Sequence, residues 1–142
     1  MTAAVPPYDL LRPGRRITGM SAVLLPFVDP LTPDVDGFLA HLARTVEAGL
    51  VPAVNMDTGF GPTLDPAERD RLLSLARAAC DGMVVAGAHV ADRPGDPFDL
   101  DAHLHEVERV QRAGAGPIVF PSHGLARLDD ARARRHAVTR ID

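Results

Sequence analysis

The chain has 142 residues, 46% of them apolar, with a formal net charge of −4. These values fit one soluble folded domain and give no reason to expect nucleic acid or an anionic membrane as partner. All 15 basic residues are arginine, so the sequence carries no lysine amine for covalent chemistry, and with one cysteine, Cys80, it cannot form an internal disulfide. Neither a signal segment nor an apolar run of about 18 residues is present, and a cytoplasmic setting is expected.

Residues 1–16 read as an N-terminal extension. From there, apolar runs with strand character begin at Met20 ("MSAVLLPF"), Val51 ("VPAVN"), Met83 ("MVVAGAHV") and Pro117 ("PIVF"), at nearly constant intervals. Between them Val35, Phe38, Leu39, Leu42 and Val46 follow the 3.6-residue period, as do Leu72, Leu73, Leu75, Ala76 and Ala79, and then Leu100, Leu104, Val107 and Val110. Asp65, Pro66 and Glu68 form an N-cap, a first-turn proline and a capping-box acid, while Gly49 and Gly114 stand where helices should stop. Each unit is strand, loop, helix. His41, His103 and His105 fall on helices and are expected on solvated faces. After Phe120 no further strand is legible, and residues 126–142, with arginines at 132, 134 and 135, read as a basic, poorly ordered tail.

Short strands that are apolar on both faces belong to parallel sheets covered by helices. The choice lies between a doubly wound sheet and a (β/α)8 TIM barrel. No glycine-rich nucleotide motif follows the first strand, where "LLPFVDPLTPD" stands instead, so the dinucleotide and P-loop readings lose most of their weight. A barrel takes about 250 residues, so this chain is expected to supply only the first four βα units, within residues 17–125. The strands should then run in parallel sequential order with helices on the outer face only. Ala22, Leu24, Val54 and Val85, or their immediate neighbours, should line the inner face, open to solvent or to a partner.

In barrels, chemistry gathers at the carboxyl ends of the strands. Those ends carry Asn55, Asp57, Thr58 and Gly59 after the second strand, His89 and Asp92 after the third, and Ser122, His123 and Gly124 after the fourth. Polar groups from several loops are thus predicted on one rim.

The stretches "GMSAVLLPF", "DVDGFLAHLARTVEAGL", "VNMDTGFGPTLDPAERDRLLSLAR", "VVAGAHV" and "AGAGPIVFPS" resemble, in order and spacing, the first half of the dihydrodipicolinate synthase and N-acetylneuraminate lyase family. The resemblance implies a class I aldolase barrel in which a lysine on a later strand forms a Schiff base with pyruvate or a related keto acid. It also implies a homo-oligomer in the full-length form and no cofactor. The family's Gly-Thr-Thr-Gly-Glu aligns with Met56, Asp57, Thr58, Gly59 and Phe60, of which Thr58 and Gly59 match. The resemblance gives Thr58, with Gly59 and Ser122 nearby, the keto-acid carboxylate. Asp57 takes the place of a relay threonine, and Ser122 or His123 that of a relay tyrosine.

A carboxylate and an imidazole move protons near neutral pH more readily than two hydroxyls, because their unperturbed pKa values lie far closer to 7. Asp57 with His123 is therefore the expected catalytic pair, although Asp57 would repel a carboxylate held at Thr58. The expected activity is carbon–carbon bond cleavage or formation on a pyruvate-type keto acid, in a chain truncated before the catalytic lysine. Two alternatives stay open. Asp57, His89 and His123 are ligand types for a divalent metal in a barrel hydrolase or aldolase, and the chain could be an inactive fragment.

Overall fold

The computed structural model describes Tyr8, residues 13–128 and 131–139, and Ile141. Most of the expected N-terminal extension lies outside the described residues, as do the side chains of Arg132 and Arg134.

Three helices open on aspartate caps whose side chains accept a backbone N–H from three residues on, satisfying donors that the first turn leaves free. Asp34 caps α1 (Val35–Glu47) through Gly37 N at 2.9 Å. Asp65 caps α2 (Pro66–Ala79) through Glu68 N at 2.8 Å, and Asp99 caps α3 (Leu100–Arg112) through Ala102 N at 3.0 Å. Gly49 and Gly114 follow α1 and α3 in the left-handed conformation, with φ of 73° and 77°. There they close the helix ends as αL stops, and the chain reverses into the next strand.

Four parallel strands lie between these helices in sequential order: β1 (Met20–Ala22), β4 (Val51–Val54), β5 (Val85–Ala88) and β6 (Gly116–Val119). The fold is thus mixed α/β on a parallel sheet. The described residues do not close it into a barrel, and β1 and β6 remain its edges. The first apolar run is not one strand. After β1 the chain leaves the sheet and makes a small antiparallel hairpin, β2 (Phe27–Asp29) with β3 (Thr32–Pro33). Asp29 holds its turn by accepting the Leu31 and Thr32 N–H groups, both at 2.9 Å. Those bonds, to Leu31 first, keep the Asp29 carboxyl below its ordinary range. Two short helices, α4 (His123–Ala126) and α5 (Ala131–Thr139), follow β6.

The core forms on one face of the sheet, where Val23, Leu25, Val54, Val84, Ala86 and Ala88 pack with Phe38 and Leu42 of α1, Leu72, Leu73 and Ala76 of α2, and Val107 and Val110 of α3. Burying side chains such as Leu72 and Leu73 completely stabilises the fold by roughly 1.5–3 kcal/mol each. At β4 the residue on the inner face is the immediate neighbour of Val54. Val54 pairs in register with Ala86 and is fully buried under the helices, while Ala53 pairs with Val85 and with Ala22. A strand's side chains alternate, so Ala53 rather than Val54 belongs with Ala22 and Val85 on the opposite face. That face is not uniformly open: Val85 is 5% exposed and Leu24 51%.

His103, expected on a solvated face, is a correction. It is 2% exposed, donates from Nδ1 to the Asp99 carbonyl at 2.7 Å, packs against Phe98, and leaves Nε2 without a partner. Its position four residues after the cap puts it on the sheet-facing side of α3, with Val107 and Val110.

Candidate functional site

The loop after β4 turns on Asn55, whose backbone is left-handed at φ 54° and whose side chain is buried. Asn Nδ2 donates to the Arg69 carbonyl in the first turns of α2 at 3.0 Å, and its own carbonyl accepts His89 Nε2 at 2.6 Å. One residue therefore ties β4, α2 and the loop after β5 together. Gly61 and Gly87 close around this junction; a Cβ at either would drive into the Asn55 carbonyl oxygen and the His89 ring.

Because a carbonyl only accepts, His89 Nε2 carries its proton and Nδ1 of the neutral ring keeps a lone pair. The ring packs on Phe120 with centroids 4.1 Å apart. Burial, which outweighs the Asn55 hydrogen bond, holds the His89 pKa below its ordinary value, and Arg69 works in the same direction. His89 is thus neutral at physiological pH.

Asp92 fastens the loop after β5 to the loop after β6. Its carboxylate accepts the His123 N–H at 3.0 Å, the Gly124 N–H at 2.7 Å and the Ser122 hydroxyl. Burial opposes the charge, but these donors prevail and the carboxyl lies below its ordinary range. Ser122 is buried and also accepts the Leu125 N–H at 3.0 Å as the cap of α4, so its hydroxyl is engaged on both sides.

These loops surround a cleft of about 870 Å³ lined by Asp57, Pro62, His89, Asp92, Arg93, Phe120, Ser122 and His123, among others. The structure brings Asp57, Ser122 and His123 to one cavity from the loops after β4 and β6. Among the described residues no hydrogen bond joins Asp57 to His123, so a proton passing between them would travel through water or through a bound molecule. Nor is any group of three His, Cys, Asp or Glu side chains gathered closely enough there to hold a metal ion.

Thr58 and Gly59 stand apart from this cleft. Asp57 and Thr58 are consecutive in the 3-10 turn Asp57–Gly59, yet they line different hollows. Thr58 lines a separate groove of about 590 Å³ with Leu24, Pro26, His41, Arg44 and Phe60. Gly59 is buried beneath the turn, where a Cβ would meet the Val23 carbonyl at 3.0 Å. Phe60, in the position of the family's glutamate, is left-handed at φ 58° and meets Phe27 edge to face at 5.2 Å. A bulky residue in that conformation costs about 1–3 kcal/mol and is held only where its surroundings demand it.

Sequence reasoning placed His41 in solvent, whereas its Nδ1 accepts the Leu24 N–H at 3.0 Å and its ring borders the groove. The available signal was the spacing of His41 and Arg44, which puts both on one face of α1. The Phe120 wall and the pin at Asn55 had no signal beyond their positions after strands.

No protein-family model matches the sequence, and no curated protein does. Solved structures do match. A dihydrodipicolinate synthase variant described as monomeric is 22% identical, with a TM-score of 0.58 over 72% of this chain and 33% of its own. A structure described as a dihydrodipicolinate synthetase from Pseudomonas aeruginosa is 18% identical, with a TM-score of 0.67 over 89% of this chain and 43% of its own. Dihydrodipicolinate synthase from Thermotoga maritima is 21% identical, with a TM-score of 0.59 over 79% of this chain and 42% of its own. The chain covers less than half the length of each of these structures. Over the part it spans, what it shares with the dihydrodipicolinate synthases is their α/β fold on a parallel sheet.

Proposed function

We propose that this chain forms part of an aldolase-type lyase related to dihydrodipicolinate synthase, acting on a pyruvate-type keto acid through a Schiff base. One observation carries the reading: in that fold, the cleft at the carboxyl ends of the parallel strands collects Asp57, His89 and His123 from three successive βα loops. In such folds these ends are where reacting groups are placed. Asp57 and His123 are the proton-moving pair, with His89 presenting a neutral wall. The hydroxyl of Thr58 serves the keto-acid carboxylate, while Gly59 and Ser122 hold the loops that frame the site.

Schiff-base formation joins an amine nitrogen to the keto carbon and releases the carbonyl oxygen as water. Loss of a C3 proton to a base then gives the enamine that makes or breaks the carbon–carbon bond. The sequence holds no lysine, so on this reading the amine belongs to a later strand of a longer, cytoplasmic, homo-oligomeric enzyme. Nothing in the cleft favours the metal-dependent alternative.

An external amine makes the acid–base step measurable in the chain as it stands. With n-propylamine and pyruvate in D2O, the chain should accelerate deuterium exchange at the pyruvate methyl beyond the rate given by the amine alone. Asp57→Asn or His123→Ala should lower that acceleration by about 10²-fold or more. Exchange no faster than with the amine alone would remove the reading.

A further inference from the structure

The groove behind the 57–59 turn is built unlike the cleft in front of it. Every polar side chain lining it is a hydrogen-bond donor: the Thr58 hydroxyl, the Arg44 guanidinium and the His41 ring. The His41 tautomer is fixed from behind. The Leu24 N–H donates into Nδ1 at 3.0 Å, so in the neutral ring Nε2 must carry the hydrogen. No acidic side chain lines the groove, in a chain whose net charge is −4, and Arg44 makes no ion pair among the described residues. Its remaining surface is apolar, and Leu24 and Phe60 are 51% and 47% exposed there. The strained left-handed backbone at Phe60 keeps that ring beside the donors.

Three donors of this kind over an apolar floor complement a small organic carboxylate with an aliphatic body. A guanidinium matches a carboxylate's two oxygens, and a concave apolar wall with few polar groups gives a small molecule both affinity and orientation. We propose that the groove between α1 and the 57–59 turn is a binding site for short aliphatic monocarboxylates, held by Arg44, His41 Nε2–H and Thr58, with selection for the apolar body by Leu24 and Phe60. The proposal deepens the aldolase reading by assigning α1 the carboxylate anchors. It rests on that reading only for Thr58, since it requires neither a keto group nor a reaction. It also separates the carboxylate from the Asp57 charge, which lines the other cavity.

The test is a 15N-labelled titration with 3-methylbutanoate, which has the carboxylate and the apolar body but no keto carbon, and with 3-methylbutan-1-ol as the neutral control. The carboxylate should shift the Leu24 and Thr58 amides, and the alcohol should bind at least tenfold more weakly. Arg44→Gln should weaken carboxylate binding at least tenfold, Thr58→Val should weaken it less, and His123→Ala should leave it unchanged. Arg44 and Thr58 are exposed, so neither substitution endangers the fold. Equal binding of the alcohol, unaltered binding by Arg44→Gln, or shifts confined to the residues around His89 and Phe120 would each overturn the proposal. Because the probe cannot form a Schiff base, a failure here is distinct from a failure of the exchange experiment.

Discussion

The two hollows on either side of the 57–59 turn share a wall and almost nothing else. The front cleft gathers carboxylates and imidazoles, Asp57, Asp92, His89 and His123, and its loops are fastened by the hydrogen bonds at Asn55 and Asp92. The rear groove gathers polar side chains that can each donate a hydrogen bond, none of them acidic, over an apolar floor. One reversal of the chain, in which consecutive residues line different hollows, is enough to place a carboxylate in one environment and a hydroxyl in another. The difference shows how one turn can hold a carboxylate side chain apart from a groove lined by donor groups.

The largest expected effect comes from breaking the wall itself. Gly61→Ala would place a methyl carbon against the Asn55 carbonyl and 2.7 Å from His89 Nε2. Those atoms belong to the pin that joins β4, α2 and β5, and none is the free end of a flexible chain. Forced overpacking with loss of a buried hydrogen bond should destabilise the protein by about 3 kcal/mol or more. Urea denaturation would show it as a lowered midpoint, and both hollows should lose their ligand response together. A variant of native stability would mean that the wall gives way easily.

His89 offers a pH test that belongs to the front cleft alone. Its pKa in the folded state lies below the ordinary value of 6.5, with burial as the main cause. The unfolded chain therefore binds more protons between the folded-state pKa and 6.5, so its contribution to stability is complete above 6.5 and is lost as pH falls through that window. His89→Gln keeps a donor for the Asn55 carbonyl without titrating. Urea midpoints from pH 8 down to pH 5 should fall more for the native protein than for this variant; parallel curves would refute the assignment.

Asp92→Asn should act more weakly, and only on the loop side of the same cleft. The neutral amide can still accept from one of the two backbone donors, so a loss of about 1–2 kcal/mol is expected at neutral pH. The Asp92 carboxyl is lowered from 3.8 in the folded state. Its contribution is therefore present above 3.8 and disappears as pH falls through the folded-state pKa, where the variant and the native protein should converge. Ligand response of the rear groove should be unchanged throughout.

How far the sequence foretold this arrangement depended on whether the signal was local. Helix caps at Asp65, Gly49 and Gly114, and the parallel order of the four strands, follow from residue chemistry and spacing over a few positions. The loops carrying Asp57, His89 and His123 fall at strand ends, which placed these residues on a common rim. Strand parity at Val54 was not legible, because β4 is apolar on both faces and alternation leaves no trace there. The hairpin at Phe27–Pro33 was hidden in an apolar run, although Asp29 and Pro30 marked its turn. The separation of Asp57 from Thr58 was also beyond reach, since it depends on the 3-10 geometry of the turn and on a left-handed Phe60 that no propensity would assign.

Phe60 gives the smallest expected change in stability and the sharpest distinction between the compartments. Asparagine adopts the left-handed conformation far more readily than a bulky aromatic does, so Phe60→Asn should recover part of the roughly 1–3 kcal/mol of backbone strain. Against this stands the loss of the edge-to-face contact with Phe27, about 0.5–1.5 kcal/mol, together with some half-buried apolar surface. The opposing effects nearly cancel, and the urea midpoint should move by no more than about 0.5 kcal/mol in equivalent stability. Binding in the rear groove should nonetheless weaken, because the wall that covers the aliphatic body is gone, while amine-assisted exchange at the front cleft should keep its rate. A clear gain in stability with carboxylate binding unchanged would show that the strain at Phe60 serves neither hollow.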